Sequence, residues 1–273
     1  KLSIIQVSAN LDENLRKQLG IKVNHLVKGT VPLTLFVKGL GQGTQQLSME
    51  ADLGNAELLF GSMGWTKPAG KAAKVSFDVD QQDDGSTGLD NFKIIGDDIA
   101  VHGKIALGPE QQLKSFYFSD FSVNELTHME ISAKVREDQV LVIHAEGPSY
   151  DGRQFFRSLF SAGQLAEDGS AEPDDPFGID FTAKIGRVIG FDDTYATDMD
   201  VMLKKRSGRL TALRGKGKLN GKSAASAQLT MKNGARILKA ESLDAGSVFR
   251  LIGFYRSIEG GQASLQVNMD AGG

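Results

Sequence analysis

The chain has 273 residues, of which 40% are hydrophobic and 24% charged, and its formal net charge is -3. This composition is typical of an ordered chain that buries a core, and it excludes a disordered tail and an integral membrane bundle. The small negative charge argues against a general nucleic-acid binder, and the absence of cysteine excludes disulfides, thiolate metal sites and cysteine nucleophiles.

The first predicted element is a helix over residues 11–19, where a leucine recurs at every fourth position before Gly20. Two further helical segments, over residues 151–165 and 244–255, each begin at an aspartate that can cap a helix. Alternation of apolar and polar residues along the rest of the chain predicts about 15 to 18 strands with one apolar face each. The predicted fold class is therefore mainly all-β: a long, curved antiparallel sheet, a taco-like half-pipe, with two or three short helices.

The apolar positions of these strands raise the question of what covers them. Three short helices cannot cover so many strand faces, so the faces meet one another in a sandwich or barrel, or meet something that is not this protein. An open half-pipe would accept acyl chains, because the burial of apolar area is favourable whatever its source. The candidate groove-lining residues are Leu33, Leu35, Val37, Leu47, Met49, Leu53, Val75, Phe77, Val79, Phe116, Phe118, Met129, Ile131, Val135, Phe177, Ile179, Phe181, Met199, Val201, Leu203, Leu229, Met231, Leu265, Val267 and Met269.

Charge is distributed unevenly along the chain. An acidic loop with two prolines, residues 166–176, is the predicted boundary between an N-terminal β-rich portion, 1–165, and a C-terminal β portion, 177–273. Residues 201–240 include eleven basic side chains and no acidic one. This tract is interpreted either as a charged outer face that keeps a sheet edge soluble or as an attraction for anionic headgroups. The candidate headgroup contacts are Lys204, Lys205, Arg206 and Arg209.

No catalytic or metal-binding pattern stands out. The four histidines, at positions 25, 102, 128 and 144, are far apart and none has a partner at ligand spacing. Four aspartates between Asp192 and Asp200 lack the spacing of a calcium loop and favour a solvated turn. No nucleophile elbow is present, so the sequence predicts a protein that is not an enzyme and needs no cofactor or metal.

Two stretches resemble tracts of the AsmA-like envelope proteins, the superfamily that includes TamB and YhdP. The first is Trp65–Ala73, WTKPAGKAA, followed by the strand Val75–Val79. The second is similar to the AsmA-like C-terminal region, and the helix Tyr150–Leu165 resembles the one that precedes that region. The residues that carry this second similarity are Lys239–Gly246 (KAESLDAG), Phe249, Arg250, Leu251, Gly253, Phe254, Tyr255, Gly260 and Gly261. In outline the similarity spans most of the chain.

The resemblance implies a fragment of a long periplasmic protein, anchored in the inner membrane, whose U-shaped sheet carries phospholipid between the inner and outer membranes. The implied partners are phospholipid acyl chains, the remainder of the same long chain and inner- or outer-membrane envelope proteins, with no nucleic acid. Two alternatives stay open: an envelope-assembly module that binds protein partners by strand addition, and a closed β scaffold.

Overall fold

A computed structural model of the protein describes residues 3–21, 23–41, 44–60, 65–157, 178–232 and 234–270. The chain forms two compact units, Lys1–Glu125 and Leu126–Gly273. The boundary that the sequence predicts at 166–176 lies outside the described residues.

Strands dominate both units. Within the described residues, fifteen of the eighteen strands belong to one large sheet that is not closed, and three belong to a small second sheet. The helices are few and short. The predicted fold class, mainly β with a long antiparallel sheet and two or three short helices, is confirmed.

The first unit contributes seven strands to the large sheet, in the order β1-β3-β4-β7-β8-β9-β10, and every pair in it is antiparallel. Strands β2, β5 and β6 form the small sheet. The elements are β1 (Ser3–Leu11), α1 (Glu13–Gln18), β2 (Val27–Lys28), β3 (Val31–Gly41), β4 (Thr44–Asp52), β5 (Glu57–Phe60), β6 (Trp65–Lys67), β7 (Ala73–Gln81), β8 (Thr87–Gly96), β9 (Ile99–Leu107) and β10 (Leu113–Val123).

The second unit contributes eight strands that follow one another in sequence order from β11 to β18. One pair departs from the predicted antiparallel pattern: β12 and β13 run parallel. Parallel neighbours need a long crossover rather than a tight turn, and residues 152–177 provide it. The elements are β11 (Thr127–Val135), β12 (Val140–Asp151), β13 (Gly178–Ile189), β14 (Tyr195–Arg206), β15 (Arg209–Leu219), β16 (Ser223–Lys232), β17 (Ala235–Ser242), α2 (Ala245–Leu251) and β18 (Ala263–Asn268).

All three predicted helical segments contain helix, with bounds that differ from the prediction. Helix α1 begins after Asp12, whose carboxylate accepts a hydrogen bond from the Leu15 amide at 2.7 Å. Residues 153–157 are helical, and 158–165 lie outside the described residues. Helix α2 ends at Leu251 rather than at Tyr255, because Gly253 adopts a left-handed conformation with φ of 74°.

Residues that face each other in an antiparallel pair lie on the same side of the sheet. In the first unit, Leu35 faces Met49, which in turn faces Phe77, and the same register repeats two residues away on either side. The apolar positions of all seven strands therefore share one side of the sheet, called here the apolar face. The other side carries mainly polar positions, for example Ser48 and Glu50.

Candidate functional site

The apolar face of the first unit consists of four rows of side chains that run across the strands. Two of them, called the covered rows, lie toward the ends where β3, β7 and β9 begin. The other two, called the open rows, lie toward the opposite ends. The covered rows are Ala9, Leu33, Ala51, Val75, Ile94, Val101 and Phe121, and then Leu11, Val31, Leu53, Ala73, Ile99 and Val123; the open rows are Val7, Leu35, Met49, Phe77, Phe92, Gly103 and Phe118, and then Ile5, Val37, Leu47, Val79, Leu89, Ile105 and Phe116.

The small sheet packs on the covered rows. Its Leu58 and Trp65 are buried, and the Phe60 ring meets the Phe121 ring edge-on at a centroid distance of 6.0 Å. Phe60 also stacks on Trp65 at 5.5 Å. Most side chains of the covered rows are consequently buried, Val101 almost completely. Most of this half of the face is therefore a buried protein core.

The open rows have no such cover among the described residues. Their inner members are only half-buried, and at the outermost strand Ile5 and Val7 are 59% and 52% exposed. Four phenylalanine rings lie side by side here in an aromatic ladder, Phe77–Phe92–Phe118–Phe116, with successive centroid distances of 5.9, 5.7 and 4.8 Å. The open rows thus form an apolar strip that continues across all seven strands.

Of the eleven lining residues that the sequence proposes in this unit, eight lie together in the open rows. They are Leu35, Val37, Leu47, Met49, Phe77, Val79, Phe116 and Phe118. Leu33 and Val75 lie half-buried in a covered row, and Leu53 is buried just beyond β4 as part of the buried core.

Sequence reasoning missed Leu89 and Phe92, which are central members of the open rows. A register shift between them, with Asn91 at a φ of 51°, interrupts the alternation of β8. A β-bulge inserts one extra residue, so a strict two-residue period cannot place both side chains on one face. The polar pair Asp90–Asn91 between Leu89 and Phe92 was the sequence signal that could have indicated this bulge.

In the second unit, too, apolar side chains of neighbouring strands lie in rows on one side of the sheet. Its rows bring together Ile179, Phe181, Met199, Val201 and Leu203, all half-buried and on one side of β13 and β14. The remaining predicted residues differ in exposure: Met129, Ile131 and Leu229 are buried, Val135 is half-buried, and Met231, Leu265, Val267 and Met269 are exposed, while Phe177 lies outside the described residues.

Helix α2 lies at one end of this second face. The Phe191 amide donates to the Leu251 carbonyl at 3.1 Å, and the Asn220 side chain donates to the Ser247 hydroxyl at 3.1 Å. The sheet residues beside these contacts, Ala196 and Leu219, are buried. As in the first unit, one end of the apolar face is covered and the other end is left partly exposed.

The four candidate headgroup residues meet at the β14–β15 hairpin, at the partly exposed end of the second face. Lys205 faces Ile179 and Leu210, so its cation stands at the margin of the apolar rows. Lys204 and Arg209 are exposed. Arg206 is engaged within the protein, because its guanidinium lies 2.6 Å from the Asp180 carboxylate and donates to the Ile179 carbonyl at 3.0 Å.

Several titratable side chains of the described residues form ion pairs or hydrogen bonds with a neighbouring side chain. No group of three or more metal-ligating side chains occurs among them. The exposed His144 lies 2.6 Å from the Thr182 hydroxyl on the polar side of the sheet. Two of the four aspartates between Asp192 and Asp200 form ion pairs: Asp192 lies 3.0 Å from Arg256, and Asp198 lies 2.9 Å from Lys218.

Two shallow clefts of about 560 and 530 Å³ open between strands of the first unit. Polar side chains form much of their lining, including Asp90 and Lys104 in one and Glu50 and Lys74 in the other. Neither cleft is the apolar strip. Within the described parts of the chain, no helix has the length and apolar content needed to cross a bilayer.

Comparison of the chain with family models, curated proteins and solved structures returns no match. The apolar faces, the aromatic ladder and the basic hairpin are therefore the observations on which a function can be based.

Proposed function

We propose that this chain is a non-enzymatic lipid-binding segment of a bridge-like periplasmic protein that transfers phospholipid between the inner and outer membranes. The parent protein would be anchored in the inner membrane, as the resemblance to AsmA-like proteins implies. The observation that carries the proposal is the open rows: an uninterrupted apolar strip on the sheet, left without cover among the described residues.

The dimensions and chemistry of the strip suit acyl chains. At the usual spacing between neighbouring strands, seven strands extend about 29 Å, which is close to the thickness of the hydrocarbon core of a bilayer. Apart from Gly103, its members are leucine, valine, isoleucine, methionine and phenylalanine, which contact hydrocarbon without directional bonds. A chain bound in this way can slide from one row position to the next, because no single hydrogen bond has to break.

The basic hairpin supplies the complementary charge in the second unit. Lys205 lies at the margin of the apolar rows, and Lys204 and Arg209 are exposed beside it. An acyl chain on the apolar face would leave its phosphate in the water at the edge, where a lysine or arginine attracts it. The hairpin would thus bind the anionic headgroup of a lipid, while the half-buried apolar face beside it binds the acyl chain.

A second candidate function is binding of a protein partner by strand addition at β1. This outermost strand carries no charged side chain from Ser3 to Leu11, and Ile4 is 62% exposed. Long uncharged edge strands readily pair with another strand. A closed β scaffold is disfavoured, since its apolar residues would be covered throughout.

Native mass spectrometry of protein purified gently from a diderm bacterium tests the lipid proposal. We expect phospholipid to co-purify, and to be lost from Phe77→Asp, which places a charge in the open rows. Ser76→Asp is the matched control, because it adds the same charge on the opposite side of the same strand. Thermal unfolding of both variants verifies that they are folded. Absence of lipid from the folded wild-type protein, or equal lipid in the two variants, contradicts the proposal.

The same samples separate the two candidates. A charge on the exposed edge, Val7→Lys, should abolish capture of an extended peptide if strand addition is the function. Because Val7 itself belongs to the open rows, Ile4→Lys on the opposite side of β1 is the variant that separates the two: it should weaken capture of the peptide and leave the lipid bound if the strip is the site.

A further inference from the structure

Two cations are buried in the first unit and held by backbone carbonyl groups. The Lys67 ammonium, in a residue that is 2% exposed, donates to the carbonyl oxygens of Ala56 and Lys71, both at 2.9 Å. It also donates to Pro68 at 3.0 Å and reaches Gly54 at 3.4 Å. No carboxylate is among these hydrogen-bond partners, so the ammonium is bound directly by backbone carbonyl oxygens.

Arg16 repeats this arrangement at the other side of the small sheet. The residue is 2% exposed, and its guanidinium donates to the carbonyl oxygens of Leu11 and Gly29, both at 2.9 Å. Further bonds reach the Val27 carbonyl at 3.0 Å and the Asn24 side chain at 2.6 Å. Most N–H groups of the guanidinium are therefore used in hydrogen bonds to partners between residues 11 and 29.

The carbonyl groups that these cations bind lie where the chain passes between the two sheets. Arg16 holds the end of β1 and the β2–β3 connection. Lys67 holds the β4–β5 connection and the β6–β7 connection. All four passages between the small and the large sheet are thus fixed by two side chains. Removal of either cation takes a donor away from several buried or partly buried carbonyl groups, which favours local opening.

We propose that the small sheet is a clamped plug that withholds the covered rows from cargo, with Arg16 and Lys67 as the clamps. Leu58, Phe60 and Trp65 occupy the part of the apolar face that hydrocarbon would otherwise fill. The plug therefore limits how much lipid the first unit can bind: the two open rows are available to acyl chains, and the two covered rows are not. The effect of the plug on lipid capacity rests on the proposed lipid function. The clamping of the small sheet by Arg16 and Lys67 is a property of the lipid-free protein and does not depend on that function.

Hydrogen exchange of the lipid-free protein tests the clamp. We expect Lys67→Met to speed amide exchange at 57–60 and 65–67 by about tenfold or more, while exchange in β8 to β10 stays slow. Lys71→Met is the matched control, because that ammonium is exposed and pairs with Asp98 at the surface. Unchanged protection of 57–60 in folded Lys67→Met overturns the inference. Should that variant not fold, Arg16→Lys provides the milder test, and its failure to loosen the same strands overturns the inference equally.

Capacity is measured on the same variants by native mass spectrometry with added phosphatidylglycerol. We expect folded Lys67→Met to bind more lipid per chain than the wild-type protein and Lys71→Met to bind the same amount. Faster exchange with an unchanged lipid count would show that the covered rows are not a withheld site. Loss of the proposed function is distinguishable, because it appears as no lipid on any variant, while the exchange result still decides the clamp.

Discussion

Phe92 and Phe118 lie on strands that are not neighbours, yet their ring centroids are 5.7 Å apart. The residue between them on β9 is Gly103, which faces both in the register of the sheet. Because glycine has no side chain, the two rings close over the intervening strand and make the aromatic ladder continuous. The ladder, and with it the smooth surface of the open rows, depends on this glycine.

Gly103→Ala is expected to destabilise the first unit by about 1–3 kcal/mol, because a Cβ there collides with the Tyr117 carbonyl and lies 2.8 Å from the Phe118 ring. Chemical denaturation monitored by circular dichroism measures the free energy of unfolding. Gly215→Ala is the matched control in a strand interior, since its Cβ meets only Val201 at 3.9 Å. Equal free energies of unfolding for the two variants would contradict this explanation of the ladder.

The basic hairpin is expected to bind anionic vesicles through Lys204, Lys205 and Arg209, whereas Arg206 is held by Asp180. Combined Lys204→Gln, Lys205→Gln and Arg209→Gln should weaken binding to phosphatidylglycerol vesicles by at least about tenfold, at about 1 kcal/mol for each cation removed. Vesicle co-sedimentation at low and high ionic strength measures the effect, which should fade as salt increases.

The matched control for the hairpin changes cations that are already paired. Lys216 lies 3.4 Å from Asp200 and Lys218 lies 2.9 Å from Asp198. Their replacement by glutamine should weaken vesicle binding less than the hairpin variant does. An equal loss in both variants would indicate a diffuse charge effect rather than recognition at the hairpin.

The last described strand is fastened by an ion pair that responds to acid. Arg236 donates to Asp270 through its side chain and through its amide, the latter at 2.7 Å, and these hydrogen bonds lower the pKa of Asp270 from 3.8 to about 2. A lowered carboxyl pKa means that the stabilisation is complete above pH 3.8 and is lost as the pH falls through about 2.

A carboxyl-carbon NMR titration checks the Asp270 pKa. We expect a midpoint near 2 in the wild-type protein and a midpoint shifted up toward 3.8 in Arg236→Met, where the side-chain donor is gone but the amide of residue 236 still donates. A wild-type midpoint that already lies near 3.8 would show that the pair does not form in solution.

Helix α2 depends on its first carboxylate. The Asp244 side chain accepts from the Ser247 amide at 2.9 Å and from the Ser247 hydroxyl at 2.6 Å. Asp244→Ala should lower the free energy of unfolding by about 1 kcal/mol, whereas Asp244→Ser keeps an acceptor and should lose less. Thermal unfolding of the three proteins measures the difference. Identical unfolding temperatures for the alanine and serine variants would exclude a capping role.

The sequence predicted which side chains share a face of the sheet better than it predicted which parts of that face are covered by other elements. Alternation placed Leu35, Met49 and Phe77 on one face, because side chains of a strand point alternately to its two sides. Alternation cannot tell that Leu53 is sealed while Val37 is half-exposed. That difference comes from the small sheet, whose strands have only two to four residues and give too short a period to recognise.

Features that depend on pairing across long sequence distances also escaped sequence reasoning. The parallel alignment of β12 with β13 is a property of two strands and their connection, and neither strand alone records it. Lys67 was part of the tract WTKPAGKAA, yet its burial among carbonyl groups has no signature in a sequence where an isolated lysine normally lies at the surface.

The parallel β12–β13 pair limits how the gene can be shortened. The chain leaves β12 at Asp151 and re-enters the sheet at Gly178, which pairs with Val140, so the ends of the connection lie about one strand length apart. That distance of about 36 Å requires at least about eleven extended residues. A deletion that leaves fewer residues in this connection would prevent β13 from pairing parallel to β12. If β13 paired antiparallel instead, every turn after it would lie at the opposite end of the sheet.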